Sequence, residues 1–183
     1  MDPDLNRILV TGGSSGIGRA VVDLCLAAGY RVIATTRFPD RQFVSPNLIW
    51  VGLDLNDNQS VSRFCAHPIW DDQIKMIFNN AGYGLIAPIE SADLISVRQQ
   101  FEANYFSTMQ ITQKAIEHFR KFNFGTIMVN TSIGGRMVFP YFGYYNASKH
   151  ALEATYEALW YETKSSEIRV KIIEPGFTQT QFA

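Results

Sequence analysis

Six short apolar runs recur along the chain, and each is continuous rather than alternating. They are Arg7 to Val10, Tyr30 to Thr35, Leu48 to Leu53, Ile74 to Phe78, Thr126 to Thr131 and Ile168 to Ile173. A strand with one wet face alternates apolar and polar side chains, whereas an unbroken run reads as a strand covered on both faces. Helical segments lie between the runs. In Gly16 to Ala28, Ile17, Val21, Leu24 and Ala28 fall at steps of 4, 3 and 4, the spacing of one helix face, and Gly29 ends it. Asn58 to Ala66 reads as a short helix that Pro68 breaks. The segment 92–122 is mostly helical, with Phe101, Tyr105, Thr108, Thr112, Ala115 and Phe119 at steps of 4, 3, 4, 3 and 4. The last helix covers 144–163. Strands and helices in this alternation predict an α/β fold: a doubly wound, Rossmann-like parallel sheet of six strands with helices on both faces. A chain of 183 residues suits one domain spanning 1–183. In such a sheet ligands sit beyond the carboxyl ends of the strands.

Composition removes several alternatives. Lys and Arg number 16 and Asp and Glu 17, for a net charge of −1, so no footprint for nucleic acid or an anionic membrane is present. The acidic start lacks the basic region of a signal peptide, and no apolar run approaches the ~20 residues of a membrane span. Cys25 and Cys65 are too few for a disulfide framework or metal cluster and are read as helix packing. His67, His118 and His150 have no metal or triad spacing and are read as plain surface or helix residues. These features together predict a reduced, cytoplasmic protein.

The first run ends in Thr11-Gly12-Gly13-Ser14-Ser15-Gly16-Ile17-Gly18. Glycines let a backbone turn tightly against a pyrophosphate, and the helix after them offers free N–H groups and its positive dipole end to an anion. By itself the turn equally serves an ordinary strand-to-helix connection. No Gly-Lys-Ser/Thr ending is present, so an ATPase or GTPase phosphate loop is not supported. Further on, Tyr145 and Lys149 stand four apart and share one helix face. A free phenol has a pKa near 10, and an ammonium beside it is expected to lower that value. The phenol can then exchange a proton with a carbonyl or alcohol oxygen. Ser132, thirteen residues before Tyr145, can hydrogen-bond the same oxygen. Tyr144 lies about 100° round the helix and cannot share the Lys149 face.

The set TGGSSGIG at 11–18, Asp54, NNAG at 79–82, Asn104, Ser132, YNASK at 145–149 and Pro175-Gly176 resembles the short-chain dehydrogenase/reductase family in its single-domain branch. The order and spacing match from residue 7 to the end. The resemblance implies hydride transfer between a nicotinamide dinucleotide and a carbonyl or secondary alcohol. It implies that Asn104, Ser132, Tyr145 and Lys149 are catalytic, with Asn104 holding a water that relays protons to the lysine. It also implies a cofactor site of Gly12, Ser14, Ser15, Gly16, Ile17, Gly18, Arg37, Asp54, Leu55, Asn80, Ala81, Gly82, Tyr145, Lys149, Pro175, Gly176 and Thr178. Asp54 would meet the adenine amino group, Lys149 the nicotinamide ribose and Thr178 the nicotinamide amide. Thr36 stands where the family's discriminating Asp would fall, and Arg37 comes next. A guanidinium grips phosphate through paired hydrogen bonds, so NADP(H) is expected over NAD(H). The alternative reading of Arg37 is a solvated loop residue, and that of Asp54 a helix N-terminal turn residue.

Single-domain relatives continue through a substrate loop, further helices and a seventh strand; those parts are missing here. A nucleotide-binding remnant or assembly partner without turnover is therefore the second reading. A sugar-nucleotide epimerase, which shares the Tyr-x-x-x-Lys pair, is disfavoured by the glycine spacing and the length. Without a seventh strand, Arg169 to Ile173 forms a sheet edge that invites self-association. Ala147, Ala151, Ala154 and Ala158 line one side of the last helix, opposite Leu152, Tyr156, Leu159 and Trp160. Together with the resemblance, this points to a homo-oligomer through the helices at 92–122 and 144–163. The stretch from Leu85 to Glu90 resembles members that act on apolar, steroid- or retinoid-like substrates.

Overall fold

The computed structural model describes residues 7–178. Its strands are β1 (Arg7–Val10), β2 (Arg31–Thr36), β3 (Leu48–Gly52), β4 (Ile74–Asn79), β5 (Gly125–Asn130) and β6 (Ile168–Ile173). Its helices are α1 (Gly16–Ala27), α2 (Asn58–Cys65), α3 (Leu94–Phe101), α4 (Ser107–Phe122) and α5 (Gly143–Thr163). The strands form one sheet in the order β3-β2-β1-β4-β5-β6, and every pairing is parallel. The chain reverses its direction of winding between β1 and β4. The connections that leave β1 and β4 lead to helices on opposite faces of the sheet, and this topology reserves the crevice between them for a ligand.

Side-chain alternation along the strands divides the core. Leu9, Ile33, Ile77 and Ile127 pack with α2, α4 and α5 on one face. Ile8, Val10, Val32, Ala34 and Phe78 pack with Val22 of α1 on the other. The expectation that all six strands are covered on both faces is corrected at both ends of the sheet: in edge strand β3, Ile49 and Gly52 are exposed. In β5 every second residue is buried, and in β6 Ile168 and Val170 are buried while Arg169 and Lys171 are exposed. Continuous apolar character cannot separate a covered strand from one whose outer face carries long amphipathic side chains.

Helix boundaries obey local chemistry. Asp57 caps α2 through the Gln59 N–H, and Asp93 caps α3 through the N–H groups of Ile95 and Ser96. Asn123 ends α4 in the left-handed region, at φ 51°. The helical stretch expected across 92–122 is interrupted by a π-turn, Glu102–Phe106. The extra residue rotates α4 relative to α3, so Asn104, Ser107, Ile111 and His118 are buried, and Tyr105 of the expected stripe is only half-buried.

His118 is not the plain surface or helix residue expected. It is buried, accepts the Ile74 N–H on Nε2 at 3.1 Å and bonds the Trp70 carbonyl through Nδ1 at 3.1 Å. Burial pushes its pKa down, which keeps the ring in the neutral form that these two bonds require. Trp160 departs as well: it is 45 % exposed, whereas Leu152, Tyr156 and Leu159 are buried. The alanine side of α5 is open in the single chain, with Ala147, Ala154 and Ala158 exposed. Among the described residues no helix is long and apolar enough to cross a membrane.

Candidate active site

The glycine turn is built by close approach. Gly12 and Gly16 take φ of +65° and +53°, a region that favours glycine. A Cβ on Gly18 would lie 2.2 Å from the Gly12 carbonyl oxygen, so α1 seats directly on the turn. Thr11 Oγ1 accepts the N–H groups of Asn80 at 2.9 Å and Ala81 at 3.1 Å, and the Gly12 N–H donates to Thr35 Oγ1. Asn80 works mainly as a brace: its Nδ2 donates to the carbonyls of Thr11 and Gly12, and its Oδ1 accepts from Asn130 Nδ2. The first turn of α1 carries no acidic residue, and Ser15 at its N-cap makes no side-chain cap bond. The N–H groups there are left to face the crevice.

The β2 end carries no carboxylate. Thr36 is buried and its Oγ1 accepts the Phe38 N–H, while Arg37 is exposed at the cleft rim. Beyond β3, Asp54 Oδ1 accepts the Asn56 N–H at 3.0 Å, and the Leu55 carbonyl accepts from Ser107 Oγ.

On the other side of the crevice, α5 presents Tyr145 and Lys149, both buried. Tyr145 is hydrogen-bonded to Ser132, and Ser132 Oγ also accepts the Gly134 N–H at 3.0 Å. Lys149 Nζ donates to the Asn130 carbonyl at 2.8 Å and lies 5.9 Å from the centre of the Tyr145 ring. Asn104, on the π-turn, grips the backbone of Tyr83 from both sides: its Oδ1 accepts the N–H at 3.0 Å and its Nδ2 donates to the carbonyl at 2.8 Å. A Cβ on Gly82 would come within 2.8 Å of Asn104 Oδ1, so glycine there lets Asn104 close on the turn after β4, while Lys149 Nζ, at 3.8 Å, would be in ordinary contact. Tyr144 faces elsewhere, with its hydroxyl donating to the Ile89 carbonyl.

The expected acidification of Tyr145 is not what the protein's own groups produce. Burial pushes the phenol up, against a smaller lowering by the Ser132 hydrogen bond. Burial also lowers Lys149 to about 8, opposed by the charge of Glu153. Lys149, held by the Asn130 carbonyl, is not among the groups that act on the phenol. The phenol is therefore protonated at neutral pH and poised to donate.

These groups line one cleft of about 990 Å³. It brings together Gly12, Ser14, Ser15, Gly16, Ile17, Arg37, Asp54, Leu55, Asn80, Ala81, Gly82, Ser132, Tyr145, Lys149, Pro175, Gly176 and Thr178. Gly18 and Asn104 do not line it: Gly18 lies beneath the turn and Asn104 behind Gly82. Sequence reasoning does not reach two further residues. Asn130 supplies the lysine's carbonyl partner, and its place at the end of β5, two before Ser132, is the signal that could find it. Gln100, fully buried, accepts the Leu85 N–H and so anchors the loop that Asn104 grips; no sequence pattern marks it. Among the described residues no cluster of His, Cys, Asp and Glu is suited to a metal.

A parallel sheet with an uncapped helix at its switch point, facing half-buried Ser132 and buried Tyr145 and Lys149 across one cleft, is a doubly wound, Rossmann-like fold. The chain belongs to the short chain dehydrogenase family, whose model matches residues 6–183. It is 36% identical over 179 residues to the uncharacterized oxidoreductase YbbO of Escherichia coli, covering 96% of this chain and 66% of that one. It is 34% identical over 184 residues to the 3-ketodihydrosphingosine reductase of Bacteroides thetaiotaomicron, covering 100% and 66%. The chain thus spans just under two thirds of the length of these relatives. Among solved structures it is similar to a short-chain dehydrogenase from Streptomyces avermitilis, with TM-score 0.89, 31% identity and coverage of 97% of this chain and 68% of that one. It is also similar to a short chain dehydrogenase from Burkholderia cenocepacia in complex with NADP, with TM-score 0.88, 28% identity and coverage of 100% and 76%.

Proposed function

We propose that this chain carries the cofactor and proton-transfer machinery of an NADP(H)-dependent oxidoreductase acting on a carbonyl or secondary alcohol. The observation that carries the reading is the single cleft with the uncapped α1 terminus at one end and Ser132, Tyr145 and Lys149 at the other. The cradle fits a dinucleotide. The first turn of α1, with Ser14 and Ser15, would hold the pyrophosphate; Asp54 the adenine; Lys149 the nicotinamide ribose; and Pro175, Gly176 and Thr178 the nicotinamide. When bound, the cofactor gives or takes the hydride. Tyr145, kept protonated by burial, donates its phenolic proton to the carbonyl oxygen. Ser132 donates a hydrogen bond to that oxygen as negative charge builds on it. Asn104 fixes the loop under Gly82 on which Lys149 closes.

The NADP(H) preference rests on Arg37 at the rim, with Thr36 in place of an acid, and agrees with the NADP complex of the Burkholderia relative. An apolar substrate is favoured by Ile86, Phe139, Phe142 and Phe177 along the cleft wall, and by the name of the Bacteroides relative. Pairing between chains is favoured by the open alanine side of α5 and by exposed Leu94, Ile95 and Phe106 nearby in sequence on α3 and the π-turn. A fluorescence titration with NADPH and NADH, then a turnover screen over apolar ketones and aldehydes, tests the reading. NADPH is expected to bind at least about tenfold tighter, a margin of ~1.4 kcal/mol for one phosphate contact. Equal binding removes the preference, and tight binding with no turnover on any carbonyl favours the non-catalytic alternative.

A further inference from the structure

Tyr145, Lys149 and Glu153 succeed one another at four-residue steps on α5, and all three are buried. Two of them are explained by the cleft; Glu153, 4 % exposed, is not. Neither of its carboxylate oxygens accepts a directed hydrogen bond. Among the described residues its close charged partner is Arg136, whose Nη2 lies 2.9 Å from Oε2, a contact of opposite charges outside hydrogen-bond geometry. Arg136 belongs to the loop after Ser132, and its Nε also donates to Glu174 Oε1 at 3.0 Å. A Cβ on Gly135 would meet Glu153 Cγ at 2.9 Å, so the loop packs directly on this side chain. A buried carboxylate with so little direct solvation is costly unless another cation shares its field. Lys149 is the cation available, about 6 Å back along the helix axis.

We propose that Glu153 is a positioning residue for Lys149: a buried carboxylate, fixed by Arg136, that favours the ammonium form of the lysine one helical turn before it. The groups facing the pair are Tyr145 on the lysine side, Arg136 from the loop, and Glu174 and Glu157, which both act on Arg136. Burial disfavours the charged form of Lys149, and the Glu153 carboxylate opposes that effect. Lys149 belongs to the site assigned above, and the consequence for proton transfer rests on that assignment.

The test is an NMR pH titration of the full chain labelled at lysine Cε, with the Lys149 resonance identified by its loss in Lys149→Met. The native midpoint is expected near 8. In Glu153→Gln it should fall by about one pH unit, and in the exposed control Glu157→Gln it should stay at the native value. Should the glutamine variant fail to fold, Glu153→Met fills the same volume without charge and carries the same expectation. A folded neutral variant with an unmoved Lys149 midpoint overturns the proposal. The titration needs neither cofactor nor turnover, so failure here leaves the oxidoreductase reading untouched. With an active preparation, the pH profile of kcat should shift on its lysine limb by the same amount with KM unchanged; a purely structural role would lower kcat without moving the limb.

Discussion

Tyr145 and Tyr156 stand on the same helix about three turns apart. Both are buried, both hydroxyls are hydrogen-bonded, and burial pushes both phenols up. Tyr156 is sealed: its hydroxyl meets Thr112 Oγ1 at 2.5 Å and accepts from Asn79 Nδ2 at 2.9 Å, deep between β4, α4 and α5. Tyr145 faces the cleft, with Ser132 beside it and Lys149 one turn on. What makes a tyrosine a candidate for chemistry is thus neither burial nor a shifted pKa, which both residues share. It is an open side toward a ligand space and a hydrogen-bond partner that faces the same space.

The largest effect that separates the two is on turnover. Tyr145→Phe removes the donated proton and should lower kcat by about 10²-fold or more, while NADPH binding and Tm stay close to the parent. Steady-state kinetics beside a cofactor titration check this; substantial turnover in the phenylalanine variant would break the distinction drawn between the two sites. Lys149 sharpens it next, through stability. Its folded pKa is depressed to about 8 from 10.5, so the charge destabilises the native state at every pH below about 8. That penalty is relieved as pH rises from 8 toward 10.5. Lys149→Met should therefore abolish turnover yet gain about 2–3 kcal/mol at pH 7, with the gain shrinking above pH 8. Denaturant melts at pH 7 and pH 9.5 measure it, and a variant less stable than the parent at pH 7 would show that the ammonium is well solvated by its surroundings.

Much of this arrangement is legible in the sequence because it depends on spacing along single elements. Tyr145 and Lys149 share a face of α5 by helix geometry, and the glycine turn arises from the positive φ that Gly12 and Gly16 must adopt. The illegible parts depend on contacts between elements. The π-turn that carries Asn104 leaves a residue pattern still close to helical. The burial of His118 is decided by the Ile74 N–H and Trp70 carbonyl, 44 and 48 residues away. Nothing in the sequence marks Glu153; it is the loop of Gly135 and Arg136, laid over it, that buries it. The upward push on Tyr145 escapes a sequence reading for the same reason: spacing shows the lysine, but only the packed structure shows how strongly burial disfavours its charge.

The smallest of these effects belongs to the sealed tyrosine. Tyr156→Phe keeps the ring and its packing and deletes one hydroxyl. Asn79 Nδ2 retains Thr112 Oγ1 at 2.9 Å, and Thr112 retains the Thr108 carbonyl at 2.8 Å, so the network loses a member without leaving a group wholly unpaired. The expected cost is about 1–2 kcal/mol, or roughly 2–6 °C in Tm for a domain of this size, with kcat and NADPH affinity unchanged. The pH signature runs through a different window from that of Lys149. The folded pKa of Tyr156 is raised from 10 to about 12, so its contribution to stability is complete below pH 10 and is lost as pH climbs toward 12. The deficit of the phenylalanine variant should accordingly be constant from pH 7 to 9, where the Lys149→Met gain is already fading, and should close only above pH 10. A Tyr156→Phe variant that lost turnover while keeping its fold would mean that the sealed hydroxyl communicates with the cleft through α5, and the two tyrosines would have to be treated as one system.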